Sequence, residues 1–287
     1  MIDDSTRITR GEIESLYDVK EVEASVHKAI DFACEGPKKL VRFISRYANL
    51  NAWFGSGVAS LSGKIGRSRG IFVDPTEPIL DIADRSVLVA SYFFDAARDE
   101  FDDRDTPERD THRCLAQACI KGMIGYYFDL TKPGISSVVN KMLEQPLWLT
   151  GIGSLVAAGY GVTSSEQSVD LFRSMGYHLG SEILADFEFS YIDKALRKER
   201  YKLVDYLKDS KFTIAGVSHK GYAWIGLHSG EGSAKEVDHF NWAVQGVQVA
   251  LGFVPAEDRA QLRHQVHLGI QSFVHDHQEF FAMVSRD

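Results

Sequence analysis

Proline occurs only seven times in 287 residues. Between the prolines the chain runs through long stretches rich in Ala, Leu, Glu, Lys and Arg. Proline ends helices by removing a donor and clashing with the preceding turn, whereas those five residues are among the best helix formers. Apolar residues recur at helical spacing along the same stretches. Helices are therefore expected near 11–34, 37–63, 79–101, 110–128, 134–145, 147–160, 165–203, 203–209, 211–229, 234–252 and 256–285. Strand signals are weak, the best being GIFVDP at 70–75. No fixed-period repeat points to a solenoid, and no low-complexity linker divides the chain. The expected fold is all-α, one helical domain over 1–287, with N-terminal helices in 1–78 leading into a core over 79–285.

A chain that is 44% hydrophobic and 25% charged can bury a sizeable core. Its net charge of −8 and pI near 5.7 argue against nucleic acid as a partner, because phosphate binding needs basic patches. The longest apolar runs fall well short of the ~20 residues that cross a bilayer. The polar start MIDDSTRITRGEIE has no apolar signal core. The expectation is a cytoplasmic protein with no membrane partner, and a homodimer is allowed. Cys34, Cys114 and Cys119 have no metal-ligand spacing and read as reduced, packed thiols.

Three segments place metal-type ligands against apolar helices. In the first, Val87 to Phe94 are apolar, Asp99 and Glu100 close the helix, and His112 opens the next beyond the polar break FDDRDTPERD. In the second, His178, Glu182 and Asp186 stand at i, i+4 and i+8 on one helix face among Met175, Leu179, Ile183 and Phe187. Glu188 lies about 240° round the helix from Glu182 and reads as having another role. In the third, GLHSGEGSAKEVDHFNW, Glu236 and His239 form an i, i+3 pair, the Glu-x-x-His spacing that projects ligands inward in di-iron bundles. His228 precedes the glycines there, and Asp238 is a second carboxylate if the register slips. Each segment also has an ordinary reading: a solvated helix end, an amphipathic stripe, a satisfied core histidine. Burying these groups together is costly unless they are paired or hold a metal. An oxygen-rich set with a few imidazoles suits iron or manganese better than structural zinc.

On the segments DEFDDRDTPERDTHR, GYHLGSE and HSGEGSAKEVDH, over residues 80–280, the chain resembles the haem-oxygenase-like di-iron oxidases. The resemblance implies a haem-oxygenase-like helical bundle, a seven-helix core here carrying extra N-terminal helices, with 79–285 as the metal-binding core. It also implies two non-haem Fe(II) ions and O2 as cofactors. Carried over residue by residue, the ligands are Glu100, His112, Glu182, His228, Glu236 and His239, with Asp186, Glu188, Asp238 and His178 as second choices. One departure stands out: Gly232 occupies the place of the first His of the third motif. The resemblance further implies O2-dependent oxidation of a small, amino-acid-like substrate in natural-product metabolism. The outcome would be N-oxygenation, or oxidative C–C cleavage or desaturation. The alternative from another class is a metal-free helical protein of the same fold that binds a small ligand or a partner helix.

Other motifs fail. GVASLSGKIG has five residues between Gly57 and Gly63 where a phosphate loop has four, and Ile65 replaces the magnesium-binding hydroxyl. The segment GYGVTSSE has no catalytic partner pattern. The cluster His264, His267, His275 and His277, set among Phe273, Phe280 and Phe281, reads as amphipathic packing. Arg67, Arg69 and Arg85 are the candidates for holding a substrate carboxylate.

Overall fold

The computed structural model describes residues 5–73, 83–102, 108–229 and 235–287; the side chains of Ala83, Asp84, Asp186 and residues 235–238 lie outside the description. Helices dominate it. They are α1 (Arg10–Glu14), α2 (Val19–Cys34), α3 (Pro37–Arg67), α4 (Ala83–Phe101), α5 (His112–Tyr127), α6 (Ile135–Leu143) and α7 (Leu147–Gly159). These are followed by α8 (Ser168–Glu199), α9 (Tyr201–Asp209), α10 (Ala223–His228), α11 (Lys235–Gly252) and α12 (Arg259–Val284). None of the helices among the described residues is long and apolar enough to cross a membrane.

Local chemistry sets the helix starts. Asp18 caps α2 by accepting from Glu21 N at 3.1 Å, which separates α1 from α2 inside the single helix expected over 11–34. Pro37 opens α3, a position where its missing N–H costs nothing. Thr111 caps α5 by accepting from Cys114 N at 3.0 Å.

Two expectations are corrected. Residues 211–229 do not form one helix. Lys211–Ile214 (β1) and Val217–Lys220 (β2) form an antiparallel hairpin, and only Ala223–His228 is helical. The turn is Ala215–Gly216, both at positive φ (50° and 85°), the twist that suits a two-residue hairpin. Gly70 to Val73 of the expected strand form no strand; Val73 N donates to Phe253 O instead. Asp74 and Pro75 of that stretch lie outside the described residues.

The long helices α8 and α12 pack closest. A Cβ on Gly176 would lie 2.0 Å from Val266 O, and one on Gly269 would lie 2.0 Å from Arg173 O. The two backbones touch through these glycines, and no other residue fits there. A buried aromatic group fills the other side of α8. Tyr47, Phe189 and Trp224 have ring centroids 5.4 to 5.7 Å apart, with Phe280 and Phe281 beyond them. Phe189 and Trp224 also form the base of the cavity described next.

Candidate metal centre

A cavity of about 230 Å³ opens between α3, α4, α5, α8, α10 and α11. Glu100, His112, Glu182, His228 and His239 all line it, together with Phe54, Phe189 and Trp224. These five polar residues span 140 positions of sequence, from the last turn of α4 to the first turns of α11. Its deep wall is buried (His112, Ser181, Phe189, Trp224, His228, His239), whereas its rim is exposed (Ala52, Ser56, Phe101, Arg113). The wall beside Glu100 depends on Gly55 of α3, where a Cβ would stand 2.9 Å from Glu100 Cβ.

The donors meet in two groups. In the first, His112 Nδ1 is 3.1 Å from Glu100 Oε2 and 3.4 Å from His228 Nε2. The tautomers follow from the partners. His228 Nδ1 lies 2.6 Å from the carbonyl oxygen of Trp224, so it must donate. Burial, followed by the neighbouring His112, pushes the His228 pKa down to about 3. The ring is therefore neutral, and its Nε2 carries the lone pair. Phe189 stacks on it, centroids 4.4 Å apart, and fixes its plane. A carboxylate can only accept, so the N–H of His112 faces two acceptors, Glu100 Oε2 and His228 Nε2. Burial pushes the Glu100 pKa up, but His112, with His228 and His239 further off, outweighs this, and the carboxyl ends below its ordinary value. A ligating histidine usually has its other N–H held by a carbonyl or carboxylate, as Trp224 holds that of His228.

In the second group Glu182 lies between two imidazoles. Its Oε1 is 3.4 Å from His178 Nδ1 and its Oε2 is 3.6 Å from His239 Nδ1. The far side of His239 donates from Nε2 to Asp99 Oδ2 at 3.1 Å. Buried Tyr160 joins the edge of this group, its hydroxyl 3.0 Å from Ser181 Oγ and 3.4 Å from His178 Nδ1. Burial and then Glu182 raise the Tyr160 pKa well above the ordinary phenol value, so it stays a neutral phenol. Burial lowers the His178 pKa against the opposing pull of Glu182. His178 Nε2 is buried with no hydrogen-bond partner.

The residues singled out in the sequence sort as follows. Glu100, His112, Glu182, His228 and His239 share the cavity, and His178 stands beside Glu182. Glu188 is turned away, accepting from His277 Nε2 of α12 at 2.7 Å inside the core. The side chains of Asp186, Glu236 and Asp238 lie outside the described residues. Of the arginines considered for a carboxylate, Arg67 pairs with Glu166 at the surface, Arg69 is exposed and Arg85 is buried against Phe253. Three cavity neighbours were missed: Asp99, Tyr160 and Arg113. Asp99 was placed beside Glu100 at a charged helix end but not carried over as a ligand, and Arg113 was not weighed. Tyr160 sat in a segment without any pattern.

The donor chemistry fits iron: carboxylate oxygens and imidazoles share one largely buried cavity, His228 being neutral and fixed by the Trp224 carbonyl, and the orphaned Nε2 of His178 lies just outside the lining, on the ring beside Glu182. They stand as carboxylate–imidazole pairs. Among the described residues no group of three or more His, Cys, Asp or Glu is arranged to hold a metal ion as it stands. No family model matches the chain, and neither does any curated protein or solved structure.

Proposed function

We propose that this chain is a non-haem di-iron, O2-dependent oxidoreductase with a haem-oxygenase-like bundle, acting on a small amino-acid-like substrate. The observation that carries the reading is the His112 N–H facing both Glu100 and His228. One proton there occupies an electron-rich point, and a cation in its place meets a carboxylate oxygen and two imidazole nitrogens. Glu100, His112 and His228 would hold one iron. Glu182, His239 and His178 would hold the other, with Glu236 as the remaining expected ligand. Bound Fe(II) would supply electrons to O2 for N-oxygenation or for oxidative C–C cleavage or desaturation of the substrate.

The chain's own residues prepare that site. The Trp224 carbonyl holds the His228 proton on Nδ1 and leaves Nε2 for the cavity. Asp99 does the corresponding work on Nε2 of His239, leaving Nδ1 toward Glu182. Phe54, Phe189 and Trp224 exclude water from the base, which strengthens every charge interaction there. Tyr160, a neutral phenol, is placed to donate a proton toward Ser181 or His178.

The existing carboxylate–imidazole pairing favours a second reading, a metal-free small-ligand binding protein, in which those pairs are complete as they stand. Iron loading separates the two. The protein is loaded anaerobically with Fe(II), desalted, and assayed for iron per chain, with His239→Ala and Glu188→Gln alongside. The expected result is about two irons per chain, with reduced iron in His239→Ala and unchanged iron in Glu188→Gln. O2 admitted to the loaded protein should then change its visible spectrum. An iron-free wild type under the same treatment rejects the proposal.

A further inference from the structure

Arg113 lies on the exposed rim of the cavity, one residue after His112. Its Nη1 donates to Ala48 O of α3 at 2.9 Å. That bond anchors the guanidinium across the gap between α5 and α3 and leaves the rest of its five-donor fork uncommitted. No carboxylate among the described residues forms an ion pair with it. Nearby, Asn51 commits its amide nitrogen to Tyr47 O at 2.9 Å, so its Oδ1 is the acceptor it brings to the same rim.

We infer that Arg113 is the substrate-recognition residue, taking the carboxylate of an aliphatic carboxylic acid whose other end reaches the buried His and Glu residues. The inference rests on the proposed oxidase reading. A guanidinium fork matches a carboxylate in two parallel hydrogen bonds. A phosphate is the poorer fit, because its greater charge calls for several cations or backbone N–H groups and this rim offers one. Depth then sets orientation. A molecule tethered at the exposed rim runs its carbon chain along Phe54 toward Phe189 and Trp224. It presents the carboxylate-distal end to His112, His228 and His239. The atom oxidised would therefore lie away from the carboxylate, and the carboxylate itself would not be an iron ligand.

The test measures binding, not turnover. Hexanoate, 2-aminohexanoate, hexanamide and hexyl phosphate are titrated by ligand-observed NMR. The protein is the whole chain, metal-free and, separately, anaerobically Fe(II)-loaded. Both carboxylates should bind, hexanamide and hexyl phosphate should bind at least about tenfold more weakly, and Arg113→Gln should lose a similar factor for the carboxylates alone. Arg113→Lys should recover part of it, because it keeps the charge and loses the fork. Tighter binding of 2-aminohexanoate than of hexanoate identifies an amino-acid source, and the reverse a fatty-acid source; both support the inference. Thermal unfolding of each variant guards against simple misfolding. Carboxylate binding that is absent in the wild type, unchanged in a folded Arg113→Gln, or matched by hexanamide or hexyl phosphate overturns it. Iron per chain is measured on the same samples. Failure of the oxidase reading shows as missing iron, whereas failure of this inference shows as unchanged carboxylate affinity in iron-replete Arg113→Gln.

Discussion

Asp99 is only 3% exposed, and its Oδ2 accepts from His239. A carboxylate behind a ligating imidazole fixes its tautomer and raises its basicity. With iron held as proposed, Asp99→Asn should therefore keep the fold but weaken one iron position about 10- to 100-fold. Titration of Fe(II)-loaded protein against a chelator measures this; two equivalent, undisturbed sites in the variant would show that Asp99 has no such role. At this scale, legibility depended on spacing. His178 and Glu182 were visible as neighbours because i, i+4 residues share a helix face, and Glu188 was separable by its angle. Glu100 and His112 could be chosen only by residue type, since a polar break divides them. Asp99 was seen at the helix end but its role was not legible, and Arg113 was not singled out. Each is the chain neighbour of a chosen residue, and only tertiary packing distinguishes a cavity-facing side chain from a solvated one.

The site is only as well defined as the helices that carry it. α8 brings His178 and Glu182 and is held to α12 by backbone contacts at its own Gly176 and at Gly269 of α12. Gly176→Ala forces a methyl against Val266 O, where a backbone atom cannot swing aside as a side chain can. The expected cost is at least about 3 kcal/mol, at the upper end for overpacking. A shift in urea midpoint measures it, and a variant as stable as the wild type would mean that the helices part easily. Helix content was legible because proline scarcity and apolar periodicity act over many residues. The hairpin was not. Its turn puts Ala215 at positive φ rather than using an Asn-Gly pair, the usual signal. Its four-residue strands are too short to establish a period of two.

Across the whole molecule, α1 is tied to α12 by Glu12. Arg263 grips its carboxylate with Nε at 2.9 Å and Nη2 at 2.6 Å, and His267 Nε2 adds a third contact at 2.8 Å. Burial raises the Glu12 pKa, but Arg263 and His267 outweigh it, and the net shift is downward from 4.5. A depressed carboxylate pKa stabilises the fold above its unfolded value and loses that contribution as pH falls through the folded value. The clasp should therefore contribute fully above about pH 4.5 and fade below it, at about 1 kcal/mol for a partly exposed pair. Urea midpoints of wild type and Glu12→Gln should differ near pH 6 and converge at strongly acid pH; a difference independent of pH would refute this assignment.

The five cavity-lining donors come from α4, α5, α8, α10 and α11, five separate elements of the chain. The centre's two halves are each closed by one distant contact. His178 and Glu182 are brought together by a single helix and Glu100 and His112 across a short break; the meetings of His112 with His228 and of Glu182 with His239 require closing long loops of chain, an entropic cost met late in folding. A partly folded chain, however helical, therefore contains the ligands but not the centre. On the proposed reading, iron that bound only the finished arrangement would deepen the native well by mass action. The metal proposed for turnover would then also discriminate, among newly made chains, those that have completed their topology from those that have only formed their helices.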